Sequence, residues 1–273
     1  MPTRRSFFLS LANLLVMVAL GSLLAFSLHA QGQSRGWEDD FNSGRLDKRR
    51  WNISNGWAPG YRPNNHIGYY EPENVNLQNG YLILRLWQEP GEVDGNREGV
   101  ISHGMEVTTK QKYGYGTYEW RMRMSSTATS PSGAGEPVSG SVSAGLLYVN
   151  NSQTEIDFEF GGHLPETLYM VNWHNPDPST GPFDDQVTSH TEFISGLNSD
   201  FFIFKFIWVP GGIFFYVNDE FKVVHTTNVP SAPAYFMINH WGTNSDLDEF
   251  GGPATLGVDR YFYIDWVRFT PLP

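Results

Sequence analysis

The chain is a long succession of short strand-forming segments, and no helical period persists over three turns. Turn-forming pairs such as Asn79-Gly80 and Asn218-Asp219 separate the segments. Many short strands with regularly spaced turns predict an all-β sandwich or jelly roll. The predicted strands are residues 81–87, 116–124, 142–149, 153–160, 168–174, 201–209, 213–217, 221–225, 234–241 and 261–269.

One predicted strand carries an unusual concentration of acid. Glu155, Asp157 and Glu159 alternate with Ile156 and Phe158. Alternate side chains of a strand lie on opposite faces, so we expect three carboxylates on one face and the apolar pair in a core. No lysine or arginine stands among these acids to offset their repulsion, which favours a functional explanation.

Two carboxylates that face a cleft are the groups that cleave a glycosidic bond, one as nucleophile or base and the other as proton donor. The same alternation is also compatible with a solvated sheet face or with half of a calcium site. The aromatic strands around the motif favour the first interpretation, because a polysaccharide-binding cleft needs such side chains.

The N-terminus resembles an export signal, with Arg4 and Arg5 before an apolar stretch and a cleavage site before Gln31. We therefore expect residues 1–30 to be a signal peptide, 31–36 a linker and 37–273 one domain. An uncleaved membrane anchor is the alternative, because the apolar stretch is long enough to span a bilayer. After cleavage we expect a secreted or periplasmic protein that does not contact the membrane.

Charge and composition exclude several classes. The formal net charge is −11, and loss of the two signal arginines leaves −13, which argues against nucleic acid and anionic membranes as partners. The chain has no cysteine, so no disulfide stabilises it. The histidines do not have the spacing of zinc ligands, and no GxSxG motif is present. We expect no cofactor requirement for catalysis.

The acidic motif, residues 155–160, resembles the signature of the family-16 glycoside hydrolases, which include lichenases, laminarinases and xyloglucan endotransglycosylases. Further blocks are similar in the same order, so the resemblance covers nearly all of residues 37–270. These blocks are residues 37–47, 74–80, 113–119, 208–218 and 264–268. The resemblance implies a jelly roll with a concave substrate cleft.

The resemblance also implies roles: Glu155 as nucleophile, Glu159 as acid/base, and Asp157 as the group that tunes the protonation of both. Carboxyls at i and i+4 of an extended strand start from Cα atoms roughly 13 Å apart, whereas retaining enzymes need carboxyls about 5–5.5 Å apart. Retention of configuration is therefore implied by the family and not by the spacing.

Details of the motif bear on subtype. One residue separates the second and third acids, so no β-bulge is needed to keep them on one face, as in lichenases and xyloglucan enzymes. Thr154 and Gly161-Gly162 depart from the lichenase pattern, which leaves the subtype open.

For substrate contacts, the resemblance implies cleft positions for six side chains. A core or structural role is the alternative for Asn172, His174 and Trp241. The six are Glu106, Tyr148, Asn172, His174, Asn239 and Trp241. Asp265 and the Gly80 carbonyl match a structural calcium position of the family, although Asp265 also has local pairing as an alternative.

We therefore expect a monomeric retaining endo-β-glucanase that hydrolyses internal β-1,3-1,4 or β-1,3 bonds of a polysaccharide. A transglycosylase acting on β-glucan or xyloglucan is the first alternative, because acceptor subsites cannot be read from the sequence. A non-catalytic glycan-binding sandwich is the second, and the presence of both glutamates argues against it.

Overall fold

A computed structural model describes residues 35–180 and 186–273, so the predicted signal, residues 1–30, lies outside the described residues, as does most of the linker. No helix in these two ranges is long and apolar enough to cross a membrane. The helical content of these ranges is two 3₁₀ turns, Pro72–Asn74 and Pro178–Thr180. The strands are β1 (Trp37–Asp39), β2 (Trp51–Ile53), β3 (Gly56–Arg62), β4 (His66–Tyr70), β5 (Val75–Gln78), β6 (Tyr81–Val93), β7 (Asn96–Tyr113), β8 (Gly116–Ser126), β9 (Ser141–Val149), β10 (Thr154–Gly161), β11 (Thr167–Trp173), β12 (Val187–Phe193), β13 (Phe202–Val209), β14 (Gly212–Val217), β15 (Glu220–His225), β16 (Ala234–Gly242) and β17 (Arg260–Pro271).

Two antiparallel sheets make the sandwich. Sheet A has the order β5-β6-β17-β8-β13-β14-β15, with β1 also paired to β17. Sheet B has the order β2-β7-β16-β9-β10-β11-β12. The early part of β7 and the late part of β6 also join β3 and β4 in a small third sheet, in which β4 and β7 run parallel. This architecture confirms the predicted all-β jelly-roll sandwich.

Aromatic side chains fill the space between the sheets. Trp120 of sheet A stacks on Phe236 of sheet B with ring centroids 4.4 Å apart, and Phe158 contacts Phe206 at 6.0 Å. All four are fully buried, and burial of each such side chain is worth about 1.5–3 kcal/mol. The alternation along the strands thus divides each one into a core face and an outer face.

The predicted hairpin at Asn218-Asp219 is confirmed, and both residues have the positive φ angles, 50° and 64°, of a tight two-residue turn. The hairpin of β6 and β7 was not predicted. Residues 89–99 contain proline, glycine and charged residues, which hide the alternation there. The pairing of Val93 with Asn96 across Asp94-Gly95 closes this hairpin.

Candidate active site

The three acids of β10 lie on the outer face of sheet B. Ile156, Phe158 and Phe160 have no exposed surface and belong to the core between the sheets. Glu155, Asp157 and Glu159 alternate with them and therefore point the other way. β10 pairs with β9 and β11 without a register shift, so the strand has no bulge between the acids, as the spacing predicted.

Strand register assembles the neighbours of Glu155. Tyr148 on β9 and Trp173 on β11 are its direct partners, so their side chains share its face. Tyr235 on β16 is paired in turn with Tyr148. An aromatic row therefore crosses the sheet at the level of Glu155.

A second row crosses the sheet at the level of Glu159. Ala144 on β9 pairs with Glu159, Asn239 on β16 pairs with Ala144, and Glu106 on β7 pairs with Asn239. The Ser54 hydroxyl donates a 2.7 Å hydrogen bond to Glu106, while burial raises the pKa of that carboxyl. Glu106 and Asn239 thus lie on the same face as the acids.

Asp157 lies between these two rows over an apolar floor. Its strand partners are Leu146 on β9 and Val171 on β11. Leu146 packs with Ala144 and Met237 in a small cluster that is separate from the main core. Neither carboxyl oxygen of Asp157 has a hydrogen-bond partner among the described residues, and both are buried.

The three acids affect one another's protonation. Burial raises the pKa of Glu155 to about 7. Burial and the charge of Glu155 together raise the pKa of Glu159 to about 8. Burial and the charges of both glutamates raise the pKa of Asp157 well above its ordinary range. No lysine or arginine forms an ion pair with any of the three in the described ranges, so near neutral pH the group holds protons as a coupled unit.

Asn172 does not lie at the cleft position that the family resemblance implies. Its partner on β10 is Ile156, so its side chain points to the core side and is fully buried. The amide nitrogen donates to the carbonyls of Thr227 and Asn228, and its oxygen accepts a 2.7 Å hydrogen bond from His225. The expectation of a cleft position for Asn172 is corrected by this register.

His174 follows the last residue of β11 and is partly buried. Its Nδ1 lies 3.2 Å from the carbonyl oxygen of Gln153, and its backbone N–H donates to Gln186. The side chain thus lies at the end of the strand, and the aromatic residue of β11 beside Glu155 is Trp173.

Trp241 lies one step beyond the Glu159 row and is partly exposed. The hairpin of β3 and β4 approaches it through Gly60, where an added Cβ would lie 3.1 Å from the indole ring. Phe250 contacts both Trp241 and Tyr169, the β11 partner of Glu159. Trp241 therefore forms part of an aromatic wall beside the acids.

The comparisons with known proteins agree with this geometry. The family model described as Glycosyl hydrolases family 16 matches residues 64–268. The chain belongs to this glycosyl hydrolase family.

Named relatives of this family-16 member include a beta-glucanase of Acetivibrio thermocellus, 29% identical over 81% of this chain and 60% of the relative. The endo-1,3-1,4-beta-glycanase ExoK of Rhizobium meliloti is 28% identical over 83% of this chain and 77% of ExoK. The chain thus spans less than two thirds of the first of these relatives. The solved Bacillus licheniformis beta-glucanase has a TM-score of 0.69 at 21% identity and covers 88% of this chain and 100% of its own, which shows a shared fold.

The residues at the family's calcium position do not fit that ion in this chain. The carboxylate of Asp265 accepts a hydrogen bond from Arg121 and forms an ion pair with it, so its charge is already compensated. No group of three or more His, Cys, Asp or Glu side chains that could hold a metal ion occurs among the described residues. We therefore assign no role to calcium.

Two residues of this family-16 site escaped the sequence analysis. Trp173 could have been found only from the register of β11 with β10, which the sequence does not give. Ser152, whose hydroxyl donates to Glu155, lies in a turn and has no periodic signal. Both lie within reach of Glu155, one through strand pairing and one through a hydrogen bond.

Proposed function

We propose that this protein is a retaining endo-β-glucanase that hydrolyses internal β-1,3-1,4 or β-1,3 bonds of a polysaccharide. The observation that carries the proposal is the set Glu155, Asp157 and Glu159 on one face of an unbulged strand, with their pKa values raised by burial and mutual charge. Such a set supplies an ionised carboxylate and a protonated one at the same pH.

In the proposed first step Glu155 attacks the anomeric carbon while Glu159 gives its proton to the departing glycosidic oxygen. One carbon–oxygen bond forms to Glu155, and the bond to the leaving sugar breaks. Glu159 then takes a proton from water, whose oxygen displaces Glu155 and restores both groups. The charge of Glu155 adds to burial in raising the pKa of Glu159, which supports Glu159 as the group that holds the proton to be donated.

Asp157 is proposed to set the order in which the two glutamates lose their protons. Asp157 is fully buried between them, and neither of its carboxyl oxygens has a hydrogen-bond partner in the described part of the chain. Burial and the charges of both glutamates raise its pKa well above its ordinary range, so the protonation of Asp157 is coupled to that of its two neighbours.

The two rows that flank the acids are proposed as sugar-binding positions. Tyr148 and Trp173 offer ring faces beside Glu155, and sugar rings stack on such faces. Glu106 and Asn239 offer polar atoms in the Glu159 row, and the Asn239 side-chain oxygen is buried without a hydrogen-bond partner in the described residues. Trp241 extends the second row.

The names of the relatives, beta-glucanase and endo-1,3-1,4-beta-glycanase, favour hydrolysis over transglycosylation. Product analysis on mixed-linkage β-glucan, laminarin, xyloglucan and agarose in parallel tests the proposal. We expect internal cleavage of the first or second, and a Glu155→Gln variant that still folds and binds but does not cleave. Cleavage of agarose alone, or unchanged cleavage by Glu155→Gln, contradicts it.

We also propose export and a monomeric state. Residues 1–30 have the composition of a signal peptide, and the mature protein would begin near Gln31. N-terminal sequencing of the native protein outside the cytoplasm should find this start, whereas an intact Met1 in the membrane fraction would favour an anchor. Light scattering of the mature protein tests the monomer.

A further inference from the structure

The turn between β9 and β10 has an energetically unfavourable backbone conformation. Asn150, Asn151 and Ser152 are consecutive and have φ angles of +45°, +49° and +58°. L-residues pay roughly 1–2 kcal/mol each in this region, although asparagine tolerates it better than serine. A conformation of this cost persists only where the surrounding structure fixes it.

Contacts with the end of β11 and within the turn hold this backbone. The N–H of Asn175, which follows β11, donates a 2.8 Å hydrogen bond to the carbonyl of Ser152. The side-chain amide of Asn175 donates to the carbonyl of Asn151 at 3.1 Å, and Gln153 N–H closes the turn on Asn150 at 3.0 Å. The position of Ser152 is therefore fixed before any ligand binds.

The turn delivers the Ser152 hydroxyl to the first acid of the strand. Ser152 is only 5% exposed, and its hydroxyl donates to Oε2 of Glu155. This donor is neutral, so it orients the carboxylate without the charge that a lysine or arginine would add. Oε1 remains as the oxygen for attack.

We infer that Ser152 is a positioning residue for Glu155, which fixes the side-chain rotamer of the nucleophile and favours its ionised form. The inference rests on the proposed function of Glu155. The hydrogen bond lowers the pKa of Glu155, in opposition to the larger effect of burial, which raises it. The strained turn then has a reason to exist, because a relaxed turn would not hold the hydroxyl at this place.

The test compares four variants with the wild type in the pH dependence of kcat/KM on soluble β-glucan and in thermal stability. Ser152→Ala and Ser152→Gly remove the hydroxyl, and Ser152→Thr keeps one. Asn150→Gly is the matched control, because it relieves a positive φ in the same turn at an exposed residue and leaves the hydroxyl in place.

We expect Ser152→Ala to shift the acidic limb of the profile upward by about one pH unit, the size of effect of a hydrogen bond to a charged group. At pH values below that limb, the kcat/KM of Ser152→Ala is about tenfold lower than that of the wild type. At higher pH the difference between the two proteins shrinks. Ser152→Thr keeps a hydroxyl, so we expect its acidic limb to stay near the wild-type pH, whereas a β-branched residue at positive φ lowers its thermal stability. Asn150→Gly retains the wild-type profile.

An acidic limb that stays in place in Ser152→Ala and Ser152→Gly overturns the inference, as does an equal shift in Asn150→Gly. Ser152→Gly keeps the test decisive if Ser152→Ala folds poorly, because glycine adopts positive φ without cost. Glu155→Gln separates the two proposals: if it is inactive while the serine variants behave as wild type, only the role of Ser152 fails. Activity in Glu155→Gln would instead refute the nucleophile.

Discussion

Trp173 on β11 is paired directly with Glu155 on β10, so the indole and the carboxylate stand side by side on the outer face of sheet B. Directly paired side chains have Cβ atoms about 4.5–5.5 Å apart. A sugar whose anomeric carbon reaches Glu155 therefore lies within reach of the indole. This pairing places Trp173, and not Asn172, on the face where we propose that substrate binds.

Replacement of Trp173 by alanine should weaken substrate use more than stability. We expect kcat/KM to fall by roughly ten- to a hundredfold, since loss of a large apolar contact costs about 1.5–3 kcal/mol. Trp173→Phe should keep part of the activity because a ring face remains. Phe221→Ala, at an exposed aromatic of the β14–β15 hairpin, is the control and should act as wild type. Equal losses in both alanine variants would remove Trp173 from the cleft.

Asn172→Ala should have the opposite pattern. It removes the hydrogen bonds to the carbonyls of Thr227 and Asn228 and leaves buried His225 without its partner. We expect the free energy of unfolding to drop by about 1–3 kcal/mol, with KM of the folded protein nearly unchanged.

Asn239→Ala is the matched comparison for Asn172→Ala, since Asn239 is on the outer face in the Glu159 row. There we expect the larger effect on kcat/KM. Urea unfolding and initial-rate kinetics on both variants test this contrast. A large rise in KM for Asn172→Ala would show that Asn172 contacts substrate.

The contrast between these asparagines shows what the sequence could and could not predict. Alternation within residues 155–159 was enough to put three acids on one face, because periodicity is a local property. Which residues of β11 share that face depends on its register with β10, and one residue of slip exchanges the faces. Hydrogen bonds from Asn175 join the end of β11 to the turn before β10, and no sequence periodicity predicts them. No alternation in residues 168–174 distinguishes Asn172 from Trp173.

Protonation of the acids should make stability depend on pH. The pKa of Glu159 is near 4.5 in an unfolded chain and about 8 in the folded one, so the folded state binds more protons between these values. The contribution of Glu159 to the free energy of unfolding is therefore largest below about pH 4.5 and is lost as the pH rises through 8. Glu159→Gln removes the penalty.

We expect Glu159→Gln to match the wild type near pH 4 and to exceed its free energy of unfolding by roughly 1–3 kcal/mol at pH 8.5. Urea unfolding at both pH values measures the difference. Glu98→Gln, at an exposed glutamate, should show no such dependence. A Glu159→Gln protein that is less stable than wild type at pH 8.5 would contradict the burial of an unpaired acid there.

Gly60 should be required for the wall around Trp241. It has φ +88°, and an added Cβ would lie 2.7 Å from the Gly242 carbonyl oxygen and 3.1 Å from the indole. Gly95 has φ +87° with no atom within 4 Å, so Gly95→Ala isolates the backbone cost, roughly 1–2 kcal/mol. Gly60→Ala should cost about 1–3 kcal/mol more and reduce kcat/KM, because the indole must move. Equal stability losses in the two variants would argue against the close approach.

The roles proposed for Glu155 and Glu159 lead to a stereochemical prediction. Glu159→Ala should lose the proton donor and slow cleavage of unactivated glucan by about 10²- to 10⁴-fold. An aryl glycoside with a good leaving group needs little protonation, so its first step should suffer less. Glycosyl-enzyme should then accumulate on Glu155, because water has also lost its base.

Added azide, which needs no base, should restore turnover, whereas Glu155→Ala should give no β-azide product. Proton NMR of the azide product from Glu159→Ala should show the β configuration, since two displacements at the anomeric carbon retain it. An α-azide from Glu159→Ala would mean a single displacement, and the assignment of Glu155 as nucleophile would have to be withdrawn.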